Sequence, residues 1–282
     1  MDILKNRIDF CGVIVAERCN PNGDPANLGM PRHDFYGYGI ISSVCVKRKI
    51  RDWLFENGHD IFVRHQASLP EGIKSLRELS QSVEGMEEAK KKGDSALYKK
   101  IACQKWLDVR AFGQVFPFKG KGGGVAEAIR GPVSIQDATS LDIVDIMDFQ
   151  ITKSVNTIPA KSDSEKSSDT MGCKYRIDHG AYVFRGSIYP QLAAMTGFSG
   201  NDALLIRDAI LNMFCGDASA ARPSGSLSLD KLFWWEHNCP CGQYSPAKVF
   251  HSLHFSPSDT YPYYSVTVNN LDGLCPDILD GF

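Results

Sequence analysis

The chain has 282 residues, 43% of them apolar and 23% charged, the balance of a folded globular chain, compatible with one large domain carrying insertions. A net charge of −2 and a pI of about 6.4 exclude a polycation, so a nucleic-acid site has to come from local clusters of Lys and Arg. No apolar run is long enough for a transmembrane helix, MDILKNRIDF lacks a signal-peptide layout, and nine irregularly spaced cysteines read as free thiols in a reducing, cytoplasmic setting.

Residues 7–17 (RIDFCGVIVAE) read as a largely buried strand, with Ile8, Phe10, Gly12, Ile14 and Ala16 on one face by period two. A turn-rich loop follows from Asn20 to Gly39. Residues 40–57 then read as an amphipathic helix closed by Gly58. Val46, Ile50, Trp53 and Leu54 make its apolar stripe, and Lys47, Arg48 and Arg51 a compact basic face. Residues 70–105 are expected to be helical and highly charged, with Lys90, Lys91, Lys92, Lys99, Lys100 and Lys105.

Strand signals return at 107–116 and 131–138, on either side of a flexible basic loop, FKGKGGG (118–124). The polar stretch 161–172 has the composition of a disordered loop tip. Period-two alternation resumes over 175–189, with Tyr182, Phe184, Gly186 and Ile188 on one side. A helix over 202–214 and a strand over 227–237 complete the series. The order is β, α, β, β, α, β, which is the ferredoxin-like arrangement with long insertions. After Lys248 the chain has no Lys or Arg but keeps Asp259, Asp272, Asp277 and Asp280, so the tail carries −4 and the body −2 − (−4) = +2.

Enzymatic signatures are weak. Asp24 stands alone in NPNGDP, where an acid most simply forms a turn, and no GxSxG or comparable nucleophile context occurs. His237, Cys239 and Cys241 lack the paired CxxC spacing typical of zinc sites, and the glycine run 120–124 lacks the Lys-Ser/Thr of a P-loop. No cofactor is expected. The basic helix face stands apart from these, because it follows a glycine-rich loop bearing Arg32. Scattered Lys and Arg with small polar groups and main-chain N–H are what phosphate backbones are held by.

The strings NPNGDP (20–25), MPRHD (30–34), GYG (37–39) and SVCVKRKIR (43–51), followed by DVRAFG (108–113) and GPVSI (131–135), closely resemble the backbone subunit of type I-C CRISPR Cascade complexes. Fainter similarity runs through HGAY (179–182), TGFS (196–199), LNMF (211–214) and SAAR (219–222), with DHGAY replacing the family's usual EYGLY-type ending near 178. The resemblance implies an α+β fold shaped like a right hand: a ferredoxin-like, RRM-like palm spanning 1–282, with a helical finger inserted at 58–106, a thumb hairpin at 139–175 and an acidic extension at 240–282.

It also implies a non-enzymatic cytoplasmic role in antiviral defence. Several copies would assemble head to tail along a guide crRNA, hold it by its phosphates, and leave specificity to base pairing with a target DNA strand. A small cap subunit and a large subunit of the complex would be further partners, and no membrane. Strand one lacks the RNP aromatic pattern, which favours clefts and loops over sheet-face stacking. The RNA-binding candidates are Asn22, Gly23, Arg32, Lys47, Arg48 and Arg51, with Lys119 and Lys121 behind them, and Met147, Phe149 and Met171 as apolar wedges. Two alternatives stand beside this reading. One is a loop-aspartate RNA nuclease like type III backbone subunits, with Asp24 acting; the other is a general single-stranded RNA-binding protein.

Overall fold

The computed structural model describes residues 2–120, 123–152 and 171–282, the side chains of 117–127 and Met171 excepted. Strand β1 (Ile8–Glu17) alternates two apolar sets, and both are buried. Ile8, Phe10, Ile14 and Ala16 enter one core cluster; Cys11, Val13 and Val15 enter another. After it come the two-residue strands β2 (Gly23–Asp24) and β3 (Met30–Pro31), which pair with each other, and β4 (Tyr38–Ile41). The helix expected over 40–57 starts later, as α1 (Ser43–Glu56), because residues 38–41 are taken up by β4. Ser42 caps it by accepting the Cys45 N–H. Val46, Ile50 and Leu54 are buried, as their spacing requires.

The charged stretch is helical but comes in short pieces: α2 (Leu76–Gln81), α3 (Met86–Lys92) and α4 (Ser95–Lys105). Gly85 and Gly93 interrupt it at φ +81° and +72°, a left-handed conformation that β-carbon-bearing residues avoid. Residues 107–116 do not form the single strand expected. Leu107–Phe112 is a helix, α5, and only from Gly113 does strand β5 (Gly113–Gly120) begin, paired with β6 (Gly123–Arg130).

The alternation of Leu107, Val109 and Ala111 mimics a strand, but the helical turn lets Asp108 point inward as well. Its buried carboxylate accepts the N–H groups of Phe62 (2.7 Å) and Val63 (3.0 Å) and the Arg51 Nε (3.0 Å). This insertion has a core of its own, in which Phe62 packs on Trp106 and Phe116 with ring centroids 4.6 and 5.1 Å apart.

The strand expected at 131–138 is split into β7 (Val133–Ile135) and β8 (Ala138–Ile143). A hairpin follows, β9 (Ile146–Thr152) with β10 (Met171–Ile177), and the polar stretch 161–172 lies outside the described residues except for its last two, which begin β10. Then come β11 (His179–Ile188), α6 (Pro190–Thr196), α7 (Gly200–Leu211) and β12 (Leu227–Glu236). The C-terminal part adds α8 (Pro246–Phe250), the hairpin β13 (Leu253–Pro257) with β14 (Tyr264–Val268), and β15 (Asp277–Asp280).

The fold is mixed helix and strand on an antiparallel sheet of order β15-β12-β1-β11-β8-β4, with β7 also on β11. β1 runs antiparallel to β11 and β12 along its length. Phe184 lies over Gly12 and Phe10 over Gly186, and a β-carbon at either glycine would stand 2.2–2.3 Å from the ring, so these two positions admit no side chain.

Helices α1 and α7 cover one face of this sheet, through Ile50, Leu54, Ile206 and Ile210. The other face, with Val13, Val183, Phe233 and Trp235, lies under Val249, Phe250, Leu253 and Tyr264 from the C-terminal part. A buried ionic group ties the two layers together. Asp9 pairs with Arg7 (2.8 Å), accepts from the Ser187 hydroxyl (2.6 Å) and faces His237 Nε2 (2.9 Å). Arg7 also donates to the carbonyl oxygens of Cys241 and Tyr244. The acidic tail, which has no basic residue nearby in sequence, finds one in space: Asp280 in β15 pairs with Lys231 in β12 (2.6 Å).

Asp108 is the rivet between α1 and the helical insertion. Asp108→Ala leaves a buried N–H group, a half-buried one and a mostly buried guanidinium without their acceptor, so a loss of about 3–5 kcal/mol is expected. The urea midpoint measures it; a midpoint equal to wild type contradicts this role.

Candidate nucleic-acid interface

The loop between β1 and α1 is held by its own polar side chains. Asn20 donates to the Gly29 carbonyl (2.8 Å). Asp24 caps a short 3-10 turn by accepting the Ala26 N–H (3.2 Å) and ion-pairs with Arg32 (3.2 Å). Gly23 pairs with Pro31. Asn22 accepts both the N–H and the hydroxyl of Ser42 (2.9 Å each), so its side chain sets the start of α1. Asp137 takes the Ser43 N–H (2.6 Å). The first turn of α1 is therefore filled in part by protein groups.

The basic string of α1 is mostly committed to carboxylates. Arg48 pairs with Asp52 (2.8 Å), the buried Lys49 with Asp217, and Arg51, 11% exposed, with Asp108. Asp217 also holds Arg222 (3.0 Å) from the SAAR string. Lys47 differs: it has no ion pair among the described residues and lies 5.8 Å from the Phe112 ring centroid, which Arg51 shares at 5.0 Å. Burial, and then the Arg51 cation, hold the Lys47 pKa below the ordinary lysine value, with Asp137 acting the other way.

A groove of about 480 Å³ opens beside Lys47, walled by Phe112, Arg130, Ser134, Tyr189 and Gln191. Arg130 is exposed at the end of β6 and makes no ion pair among the described residues. Two cations, a hydroxyl, an amide and two aromatic rings on one open groove can hold a phosphodiester chain with a base or sugar laid alongside.

Of the other residues expected here, Lys121 lies outside the described residues and Lys119 is described in its backbone only, within β5. Phe149 is 38% exposed on β9 with the Arg176 guanidinium 4.3 Å over its ring. Met147 is half-buried on the same strand, and Met171 opens β10. His237, singled out with Cys239 and Cys241, is buried with Nε2 against Asp9 and Nδ1 accepting the Gln243 N–H (3.0 Å), so neither ring nitrogen is free for a metal.

A sequence model of the family described as CRISPR-associated protein Cas7 matches residues 6–269. The chain belongs to the Cas7 family. The resemblance carried by the 20–51 and 108–135 strings is borne out at that level. The CRISPR-associated protein Cas7 of Haloferax volcanii is 27% identical over 211 residues, 70% of this chain. The match spans 61% of that relative's own length. A chain of a solved CRISPR RNA-guided surveillance complex, described as pre-nicking, is similar with TM-score 0.51 at 15% identity, covering 90% of this chain and 84% of that one. At that identity the likeness bears on the fold.

In this Cas7-family chain the groove adds residues that sequence reasoning missed. Arg130 stands immediately before the GPVSI string and Phe112 inside DVRAFG. Nothing local marks either as functional; the end of α5 sets Phe112 beside Lys47, and the end of β6 sets Arg130 on the same groove. Replacing Lys47 and Arg130 together by Ala is expected to flatten the salt dependence of RNA binding by about 0.7 in log–log slope per lost phosphate contact, alike for unrelated RNA sequences. Because the Lys47 pKa is lowered, its charge is lost earlier than an exposed lysine's as pH rises, so binding weakens on the alkaline side and Lys47→Arg removes that limb. Unchanged slope and pH profile in the variants contradict the assignment.

Proposed function

We propose that this chain is the backbone subunit of a type I-C CRISPR Cascade complex, a non-enzymatic protein of the cytoplasm. Copies polymerise head to tail along a guide crRNA, grip its phosphate backbone and present its bases to a target DNA strand in antiviral defence. The observation that carries this reading is the open groove beside α1, in which Lys47 and Arg130 make no ion pair among the described residues, in a chain of the Cas7 family. The similar solved complex is itself RNA-guided, which supports the guide as ligand.

In this reading the sheet is an RRM-like palm. Counting only β1, the β7/β8 pair, β11 and β12, the order is fourth-first-third-second, which is the ferredoxin-like order. Residues 58–106 act as the finger, 139–175 as the thumb that kinks the guide, and 240–282 as the C-terminal extension. Arg32, Arg48 and Arg51, expected beside Lys47 as guide contacts, take a lesser part because Asp24, Asp52 and Asp108 engage them; Lys119 and Lys121 stay secondary candidates, with Asn22 and Gly23 shaping the loop. Small cap and large subunits of the complex complete the set of partners.

The engagement of Asp24 with Arg32 and the Ala26 N–H favours a turn role over a nuclease role. Full-length chain purified from cells carrying its repeat array is expected to bring down a discrete guide-length RNA with several copies per RNA. Protein free of RNA, or RNA of random length and one copy, contradicts the proposal. Cleavage of matched RNA with magnesium, lost in Asp24→Ala, overturns its non-enzymatic part.

A further inference from the structure

The hairpin tip ahead of β4 holds two aromatic side chains in water. Phe35 is 94% exposed and Tyr36 74%, their rings edge to face with centroids 5.5 Å apart. The tip is built to keep them there. One oxygen of Asp34 accepts the N–H groups of Tyr36 and Tyr38 (2.9 Å each), the Asp34 N–H donates to the Tyr38 carbonyl (2.9 Å), and the Gly37 N–H returns to the Asp34 carbonyl (3.2 Å). Ile143, 60% exposed, stands against Gly37, with Asp142 beside it. A preorganised tip with exposed apolar rings and an acidic border has the make-up of a protein-docking anchor.

A matching hollow exists elsewhere on the chain. In the helical insertion a cavity of about 200 Å³ is lined by Phe62, Leu76, Tyr98, Val115 and Phe116, with Arg77 and Lys90 also on its wall. An apolar cavity of about 150 Å³ takes up benzene in water, so this one admits one phenyl ring. Neither Arg77 nor Lys90 has an ion pair among the described residues, and the tip that would approach carries Asp34 and Asp142. Phe35 is exposed on its own chain, so its ring is available to a second copy.

We propose that Phe35 of one copy seats in the insertion cavity of a second copy, with Asp34 and Asp142 facing Arg77 and Lys90 across the rim. Knob and hole are different surfaces of one chain, so the contact is heterologous and can repeat from one copy to the next. The proposal rests on the head-to-tail reading above and names the contact that would drive it. The apolar anchor supplies the affinity and the rim charges the register and rate.

The test places the photoreactive analogue p-benzoylphenylalanine at position 35 of the full chain. RNA-bound assemblies of isotope-labelled and unlabelled copies are mixed, irradiated, digested and mapped by mass spectrometry. The expected product joins position 35 to a peptide within 62–116 of another copy. Phe35→Ala is expected to raise the protein concentration needed for assembly at least about tenfold while a single copy binds RNA as before. Assemblies that form normally but link position 35 to RNA, to the same copy or to a different surface overturn the knob. If no assembly beyond one copy forms even with wild type, the head-to-tail reading itself fails.

Discussion

Strand β1 is buried on both faces. Every residue from Ile8 to Ala16 is shielded from solvent, and the strand is flanked along its length by β11 and β12. A sheet so placed cannot leave either face open. The even-numbered side chains demand the helices α1 and α7, and the odd-numbered ones demand a second cover, supplied by α8 and the β13–β14 hairpin. The ionic group at the start of β1 locks that cover down, since Arg7 reaches the carbonyls of Cys241 and Tyr244 while it balances Asp9. A buried pair of this kind adds little net stability, but removing one partner is costly, which holds the layers in one arrangement.

In the proposed reading, that constraint bears on where a long polyanion lies. The sheet face on which an ordinary RRM stacks bases is occupied here by Phe250, Leu253 and Tyr264 over Phe233 and Trp235. The proposed site lies instead at the edge where the β1–α1 loop, α1, α5 and the β6–β7 turn meet. On that edge most cations of α1 act as internal fasteners: Lys49 to Asp217, Arg51 to Asp108 and Arg48 to Asp52. They hold the helix in place so that Lys47, with Arg130 across the groove, points at a fixed position. In the proposed reading, two cations on an open groove suit a ligand recognised by its backbone.

The elements with long, clean periodicity were legible in the sequence: β1, α1, α7 and β12 fall within a few residues of where alternation or the helical stripe puts them, while the strand expected over 175–189 is divided between the end of β10 and β11. Short elements were not. Residues 107–112 alternate like a strand, and only the tertiary bonds of Asp108 to Phe62 and Val63 make the helical turn intelligible. The C-terminal part was legible as charge but not as a cover, because the packing of Val249 and Tyr264 over the face of β1 spans most of the chain. The family was legible from its strings. The candidate site was legible only in part: composition and spacing locate Lys47, Arg48 and Arg51, yet which of them is free depends on acids 4, 57 and 168 positions away for Arg48, Arg51 and Lys49.

The most direct measurement of where RNA lies is zero-length crosslinking of the full chain to a single-stranded RNA carrying 4-thiouridine, with the linked peptides read by mass spectrometry. The account predicts adducts within 20–32, 42–51, 110–134 and 189–192, the loop, helix and groove segments, for RNAs of unrelated sequence. Adducts concentrated in 227–236 or 246–268 would mean that the C-terminal layer lifts and the sheet face binds RNA, which contradicts the account.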